Sequence, residues 1–316
     1  MSDMTAAVRN RRARLSAGLS PQVAISVSDS SPLEIVALKN FPVKEPVSGQ
    51  QYCFLVVKTR SGLTGWGECN SVSDTELRTL EAAWKGRPAS QYAAVDFSTS
   101  AGAALDMALL DILGKACKAP VYRVLGGPTR AALDFVLSGN GVLTAGDAAS
   151  VAATVEAKHP LWFDEPCSLS NLETVRKVSS ETVVPLGFGK GVRDAGVFQA
   201  LLREGLVDVV RPELTAFGIT GTRRIAALAE TYYVAVAPRH SAGPVGTAAA
   251  IHLAASIPNF FVQHVPVPIA AEDRAMRAAL CSPNPEAVQK GFLTLLSAPG
   301  LGITMNESAL EKYPAA

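Results

Sequence analysis

Seven polar residues stand where short apolar runs end, and they are the side chains through which this chain could do chemistry. Ser138 closes "LDFVLS", Asp164 sits in "LWFDEP", and Lys190 in "VVPLGFGKG". Glu213 lies in "VDVVRPEL", Arg239 and His240 end "YYVAVAPRH", and His264 lies in "FFVQHV". Asp164 and Glu213 offer carboxylates to a cation or a proton. Lys190 and Arg239 offer positive charge to an anionic ligand. A guanidinium stays protonated at neutral pH, so Arg239 is a better carboxylate clamp than base. His240 is the candidate base, because histidine ordinarily titrates near neutrality. Ser138 and His264 are candidate hydrogen-bonding partners for a ligand. Each position also has a plain structural reading. Lys190 would then be a loop lysine reaching solvent, Arg239 with Glu213 a salt bridge, and the histidines core residues.

These side chains meet only if the elements between them bring them together. Helical patterning fills the intervals at 147–157, 170–178, 196–204, 220–230 and 245–255. Strand–helix alternation over six apolar runs predicts parallel βα units, in a barrel or a doubly wound sheet. In both, the C-terminal strand ends carry the site. The earlier chain has another rhythm. "LEIVALKNFPV", "YCFLVVKTR" and "WGEC", broken by "SGLTG", predict an antiparallel meander of about three strands. From 74 to 119 the period turns helical, with Leu105, Ala108, Leu109, Ile112 and Leu113 at helical spacing. "LGGP" at 125–128 marks a boundary.

Composition sets the outer limits. At 316 residues the chain suits one large or two modest domains, and 48% hydrophobic residues exclude a disordered chain. Lys and Arg number 29 against 28 Asp and Glu. Bulk charge therefore favours neither nucleic acid nor an anionic membrane surface as partner. No apolar stretch reaches the roughly 18 residues of a membrane span. The five cysteines are scattered and lack paired spacing, which reads as reduced thiols in a cytoplasmic protein. Residues 1–31 read as a flexible basic extension. Its Arg11-Arg12 pair lacks the apolar run of an export signal, and its "QVAISVS" alternates like a strand. Without GxGxxG, a Walker loop or GxSxG, dinucleotide binding, P-loop hydrolysis and α/β-hydrolase chemistry have no support.

The chain resembles the mandelate racemase and muconate-lactonizing branch of the enolase superfamily. "YCFLVVKTRSGLTGWGEC" is similar to that branch's cap hairpin, and "ALDMALLDILGKACKAPVYRVLGG" to its cap helix and exit. "LWFDEP", "VDVVRPELTAFGITGTRRIAALAETYYVAVAP" and "GPVGTAAAIHLAASIPNFFVQ" resemble its later barrel strands with their helices, and "PGLGITMNESALEKYP" its return to the cap. The resemblance implies an α/β fold, a TIM-like barrel that is truncated or modified, under an α+β capping domain. It sets the cap at 32–127 plus 301–316 and the barrel at 128–300. Members abstract the proton α to a carboxylate and stabilise the enediolate with Mg²⁺, a pattern long established for this superfamily.

Against that pattern the chain departs at nearly every functional position. The resemblance aligns Ser138, Asp164 and Lys190, spaced 26 residues apart, with three carboxylate ligands of the metal. One carboxylate beside an ammonium is a poor site for a hard dication, so the expectation is a degenerate metal site and no cofactor. Lys190 is then expected to pair with Asp164 and receive an anion. Arg239 stands at the base histidine, with His240 one place later. Glu213 stands at its acidic partner and His264 at the eighth-strand acid. The segment holding the first two barrel strands and a Lys-x-Lys pair is shortened. The leading expectation is a carboxylate- or anion-binding relative without the family's proton abstraction. The alternative is an active racemase or acid-sugar dehydratase, using unusual ligands for Mg²⁺ or Lys190 in its place. A homodimer or higher homo-oligomer is the expected assembly.

Overall fold

The computed structural model describes residues 31–129, the backbone of 133–136, and residues 160–315. Ser138, the helix expected at 147–157 and "QVAISVS" lie outside the described residues.

The first layer is a three-stranded antiparallel sheet in the order β1 (Ile35–Lys44), β2 (Gln51–Thr59) and β3 (Thr64–Cys69). Its register pairs Val43 with Tyr52 and Cys53 with Cys69. Tyr52 through Val57 of β2 are all buried, so the sheet is covered on both faces. Helix α1 (Asp74–Trp84) starts with a capping box, Ser73 and Glu76 each accepting from the other's backbone. Helix α2 (Ser100–Ala116) is buried from Ala101 to Asp111. It lies directly on β3 because that strand alternates glycine. A Cβ on Gly67 would stand 1.8 Å from the Ala104 carbonyl oxygen. Asp111 on α2 accepts from Trp66 N at 3.0 Å and from Leu301 N at 2.8 Å, joining the sheet to the C-terminal segment.

Helix α3 (Val121–Val124) leads out of this layer. Then come β4 (Leu133–Val136), β5 (Phe163–Asp164), α4 (Leu172–Glu181), β6 (Leu186–Phe188) and α5 (Ala195–Arg203). The alternation continues through β7 (Val209–Val210), α6 (Leu214–Glu230), β8 (Ala235–Val236), α7 (Pro244–Ala254), β9 (Gln263–His264) and α8 (Ala271–Leu280). Strands β10 (Cys281–Ser282), β11 (Phe292–Leu293) and β12 (Thr304–Met305) follow, with α9 (Glu307–Leu310). Strands β5, β6, β7 and β8 pair in sequence and in parallel. A bridge from Val236 to Phe260 carries the wall toward β9. Strand β4 pairs in parallel with β9 and antiparallel with β11.

Six parallel strands are present among the described residues, and no ladder joins β4 to β5, so the barrel is not closed. Helix α6 begins six residues before its predicted start at 220. Its first turns bend at Gly218, where φ is 59°, and the kink seats Thr220 N on Asp106 of α2 at 2.9 Å. Helix α8 has no counterpart in the apolar pattern. Its Asp273 and Arg277 point inward instead of its apolar side chains alone. His252 is a core residue: its Nδ1 accepts from Tyr122 N and its ring stacks on Tyr122. No helix among the described residues is long and apolar enough to cross a membrane.

Candidate functional site

Pairing fixes which strand ends are neighbours. Gly187 faces Val209, Val209 faces Ala235, and Gln263 Nε2 reaches the Pro238 carbonyl at 3.1 Å. The ends of β5, β7, β8 and β9 thus bring Asp164, Arg211, Arg239 and His264 into one electrostatic environment. His264 feels all three of the others.

Asp164 carries the first contact. Its Oδ1 accepts from Arg211 Nη1 and, at 3.0 Å, from Trp162 Nε1. Arg211 has no exposed surface, and its guanidinium lies 5.1 Å over the Trp162 ring. Its Nε and Nη2 have no partner among the described residues. The pairing of Lys190 with Asp164 expected from the sequence is therefore corrected: the cation on Asp164 is Arg211. Lys190 itself is exposed. It borders a separate cavity of about 270 Å³ with Glu165, Cys167, Ser168 and Ser170. Glu165 reaches β6 instead, accepting from Gly189 N at 2.7 Å and Lys190 N at 2.5 Å. Burial pushes its carboxyl up, against those two hydrogen bonds. Its φ of 49° is unfavourable for a glutamate and is held by these contacts.

Glu213 and Arg239 meet across β7 and β8, with Arg239 Nε 3.3 Å from Glu213 Oε2 but not aligned for a hydrogen bond. Glu213 also accepts from Thr215 Oγ1 and Ser241 N. His240 is buried beneath this layer, its Nε2 3.4 Å from Thr247 Oγ1. Burial, with His264, Arg277 and Arg239 nearby, pushes its pKa down to about 3. That imidazole is neutral at physiological pH, and its Nε2 is turned to Thr247. His264 is pushed down to about 4 by burial and by Arg239 and Arg211, with Asp164 opposing. It too is neutral, and it feels Arg239, Arg211 and Asp164, where His240 feels only Arg239 of these. Ser138 lies outside the described residues. The strand before it pairs with that of His264, not with that of Asp164. The 26-residue spacing thus marks two equal intervals without making β4 the neighbour of β5.

Two functional groups escaped the sequence reading. Arg211 lies two residues before Glu213 in "VDVVRPEL", on the same side of an extended strand. That alternation was the available signal. The second is a polar cluster between sheet and barrel. Arg277 donates from Nε to Glu45 at 2.7 Å, from Nη1 to Glu286 at 2.9 Å, and from Nη2 to Tyr52. Beside it, buried Glu68 of β3 accepts from Gly243 N at 2.5 Å and Gly246 N at 2.8 Å, at the start of α7. Only the three-dimensional fold brings these distant positions together.

Two family models cover the chain. "Mandelate racemase / muconate lactonizing enzyme, N-terminal domain" matches residues 36–126, and "Enolase C-terminal domain-like" matches 123–309. The D-galactonate dehydratase of Variovorax paradoxus is 25% identical over 346 residues, covering 82% of this chain and 90% of that protein. This alignment is longer than the 316-residue chain itself, so the relative carries internal residues that this chain lacks. A mandelate racemase/muconate lactonizing enzyme-like protein from Roseovarius sp. superposes with a TM-score of 0.77 at 22% identity, over 90% of this chain and 96% of that one. An enolase from Agrobacterium radiobacter, solved with Na and L-malate bound, superposes with a TM-score of 0.77 at 21% identity, over 89% and 95%.

These relatives correct the expectation that no cofactor belongs to the chain. Dehydratases and racemases of the superfamily use Mg²⁺, and the Agrobacterium structure holds a cation with its acid. The described strand-end residues do not by themselves fit such an ion. Asp164 is occupied by Arg211, the next position is a lysine, and no described group of three His, Cys, Asp or Glu side chains could hold a metal.

Proposed function

This chain belongs to the mandelate racemase/muconate lactonizing enzyme family of the enolase superfamily, and from that membership we propose that it is an acid-sugar dehydratase-type lyase acting on a small hydroxylated carboxylate. The observation that carries the reading is His264, whose ring Nδ1 is buried without a partner among the described residues at the strand end it shares with Asp164, Arg211 and Arg239. Dehydration begins with loss of the proton α to the carboxylate. His264 accepts that proton, and the C–H electron pair moves into the carboxylate as an enediolate. Negative charge then grows beside two arginines, of which Arg211 is already oriented by Asp164 and Trp162, the arrangement that lowers such a barrier. The protonated His264 returns its proton to the β-hydroxyl as the enediolate collapses, so that group leaves as water, and the resulting enol tautomerises to a keto acid.

The likeness to D-galactonate dehydratases supports the substrate class. The test is incubation in D₂O with D-galactonate, other acid sugars and hydroxy acids, with and without Mg²⁺, following α-deuterium exchange and loss of water by mass spectrometry. Exchange or water loss is expected with at least one acid, and His264→Ala should lower it by about 10²-fold or more. Binding without either event would identify a carboxylate-binding relative without catalysis and overturn the dehydratase reading.

A further inference from the structure

Buried and part-buried arginines show how this fold satisfies a guanidinium. Arg277 has acceptors on Nε, Nη1 and Nη2. Arg176 directs Nε and Nη2, the two nitrogens of one edge, at Glu204 Oε2, at 2.8 and 2.6 Å. Arg239 leaves one buried donor, Nε, without an aligned acceptor, and Arg211 leaves two. Only Nη1 of Arg211 is engaged, and the same Nε–Nη2 edge is buried with no acceptor among the described residues. A buried donor without a partner loses its hydration with nothing in return, the more so when charged, so two on one residue are a standing demand for an acceptor. A carboxylate matches that edge bidentately, in the arrangement that makes arginine–carboxylate contacts strong and directional.

We propose that Arg211 is the carboxylate anchor of this chain, its Nε–Nη2 edge holding the acid group of the substrate side-on, whether or not a metal is also bound. The inference deepens the acid-sugar reading by naming the group that grips the acid, and it rests on that reading for the ligand class alone. Asp164 holds the guanidinium from its other side, and Trp162 lies under its plane.

Trp162 makes the proposal measurable without turnover. Fluorescence is titrated with L-malate and with D-galactonate, in EDTA and in Mg²⁺, with sulfate as control and Trp162→Phe to assign the signal. A saturable change is expected with an acid and not with sulfate. Arg211→Lys keeps a positive charge opposite Asp164 but has no two-pronged edge. Its melting temperature should stay close to the parent's while acid affinity falls by at least about tenfold, in both EDTA and Mg²⁺. Should that variant fail to fold, Arg211→Met with Asp164→Asn removes both charges together and should lose binding to the same degree. Unchanged affinity in either variant, no saturable change in the parent, or sulfate binding as tightly as malate would each overturn the anchor. Acid binding that depends on Arg211 without dehydration keeps the anchor and removes the dehydratase reading. Dehydration with unaltered KM in Arg211→Lys does the reverse.

Discussion

Glu68 carries two opposed effects on one carboxyl group. Complete burial disfavours its charge, while two backbone N–H donors favour it, and burial prevails, pushing the pKa up to about 7. Because the folded pKa is raised above the ordinary value of 4.5, the folded chain holds a proton that the unfolded chain has released between about pH 4.5 and 7. Its contribution to stability is therefore greatest at low pH and is lost as pH rises through 7. Glu68→Gln removes that dependence. The stability of the parent relative to this variant should fall by about 2–3 kcal/mol from pH 5 to pH 8, as measured by urea unfolding at each pH. The His264 prediction has the opposite sense. A base held down at about 4 stays unprotonated through the neutral range, so α-proton exchange should persist to about pH 5 and fall off only below. An acidic limb near 6.5 would mean that another group takes the proton.

Secondary-structure elements are placed mainly by what they lack. Helix α2 rests on β3 because Gly65 and Gly67 have no side chains, and Gly67→Ala would drive a methyl into the Ala104 carbonyl. No side-chain rotation relieves a clash between backbones. Gly67→Ala should cost at least about 3 kcal/mol in urea unfolding or fail to give folded protein. The segment joining β1 to β2 is fixed by different means, with Val47 N and Ser48 N donating to buried Asp273 at 2.8 and 2.9 Å. Asp273→Asn removes one charged acceptor, and hydrogen exchange at amides 47 and 48 should quicken by about tenfold. Much of this scale was legible from residue pattern. The alternating apolar runs predicted the meander and the parallel strands, and helical spacing located α2, α5 and α7 closely. Helix α8 was not legible, because its inward face carries Asp273 and Arg277, whose partners lie more than 200 residues away. The site was half legible for the same reason. Strand-end position singled out Asp164, Glu213, Arg239 and His264, but choosing Arg211 over Lys190 as the cation on Asp164 needs the direction of each side chain.

At the scale of the molecule, the sheet layer and the barrel share buried charge. Arg277 of α8 stands between Glu45 of the sheet layer and Glu286, and Asp106 and Asp111 of α2 reach α6 and Leu301. Removing Arg277 would leave two buried carboxylates with hydroxyl donors but no cation, Ser48 and Tyr52 on Glu45 and Thr247 on Glu286, and Arg277→Met should cost about 3–5 kcal/mol. The parent should still unfold in one transition, with tryptophan fluorescence and far-ultraviolet dichroism coinciding, since neither layer satisfies its polar groups alone. Two separated transitions would show that these contacts contribute little. Glu68 has one more effect at this scale. The first amides of a helix attract free phosphate and sulfate in many proteins, but at α7 the Gly243 and Gly246 amides are already taken by the Glu68 carboxyl group, which has no exposed surface. The chain fills that helix end with its own side chain. Phosphorylated metabolites and inorganic anions therefore find two of that helix end's donors already spent on the protein itself.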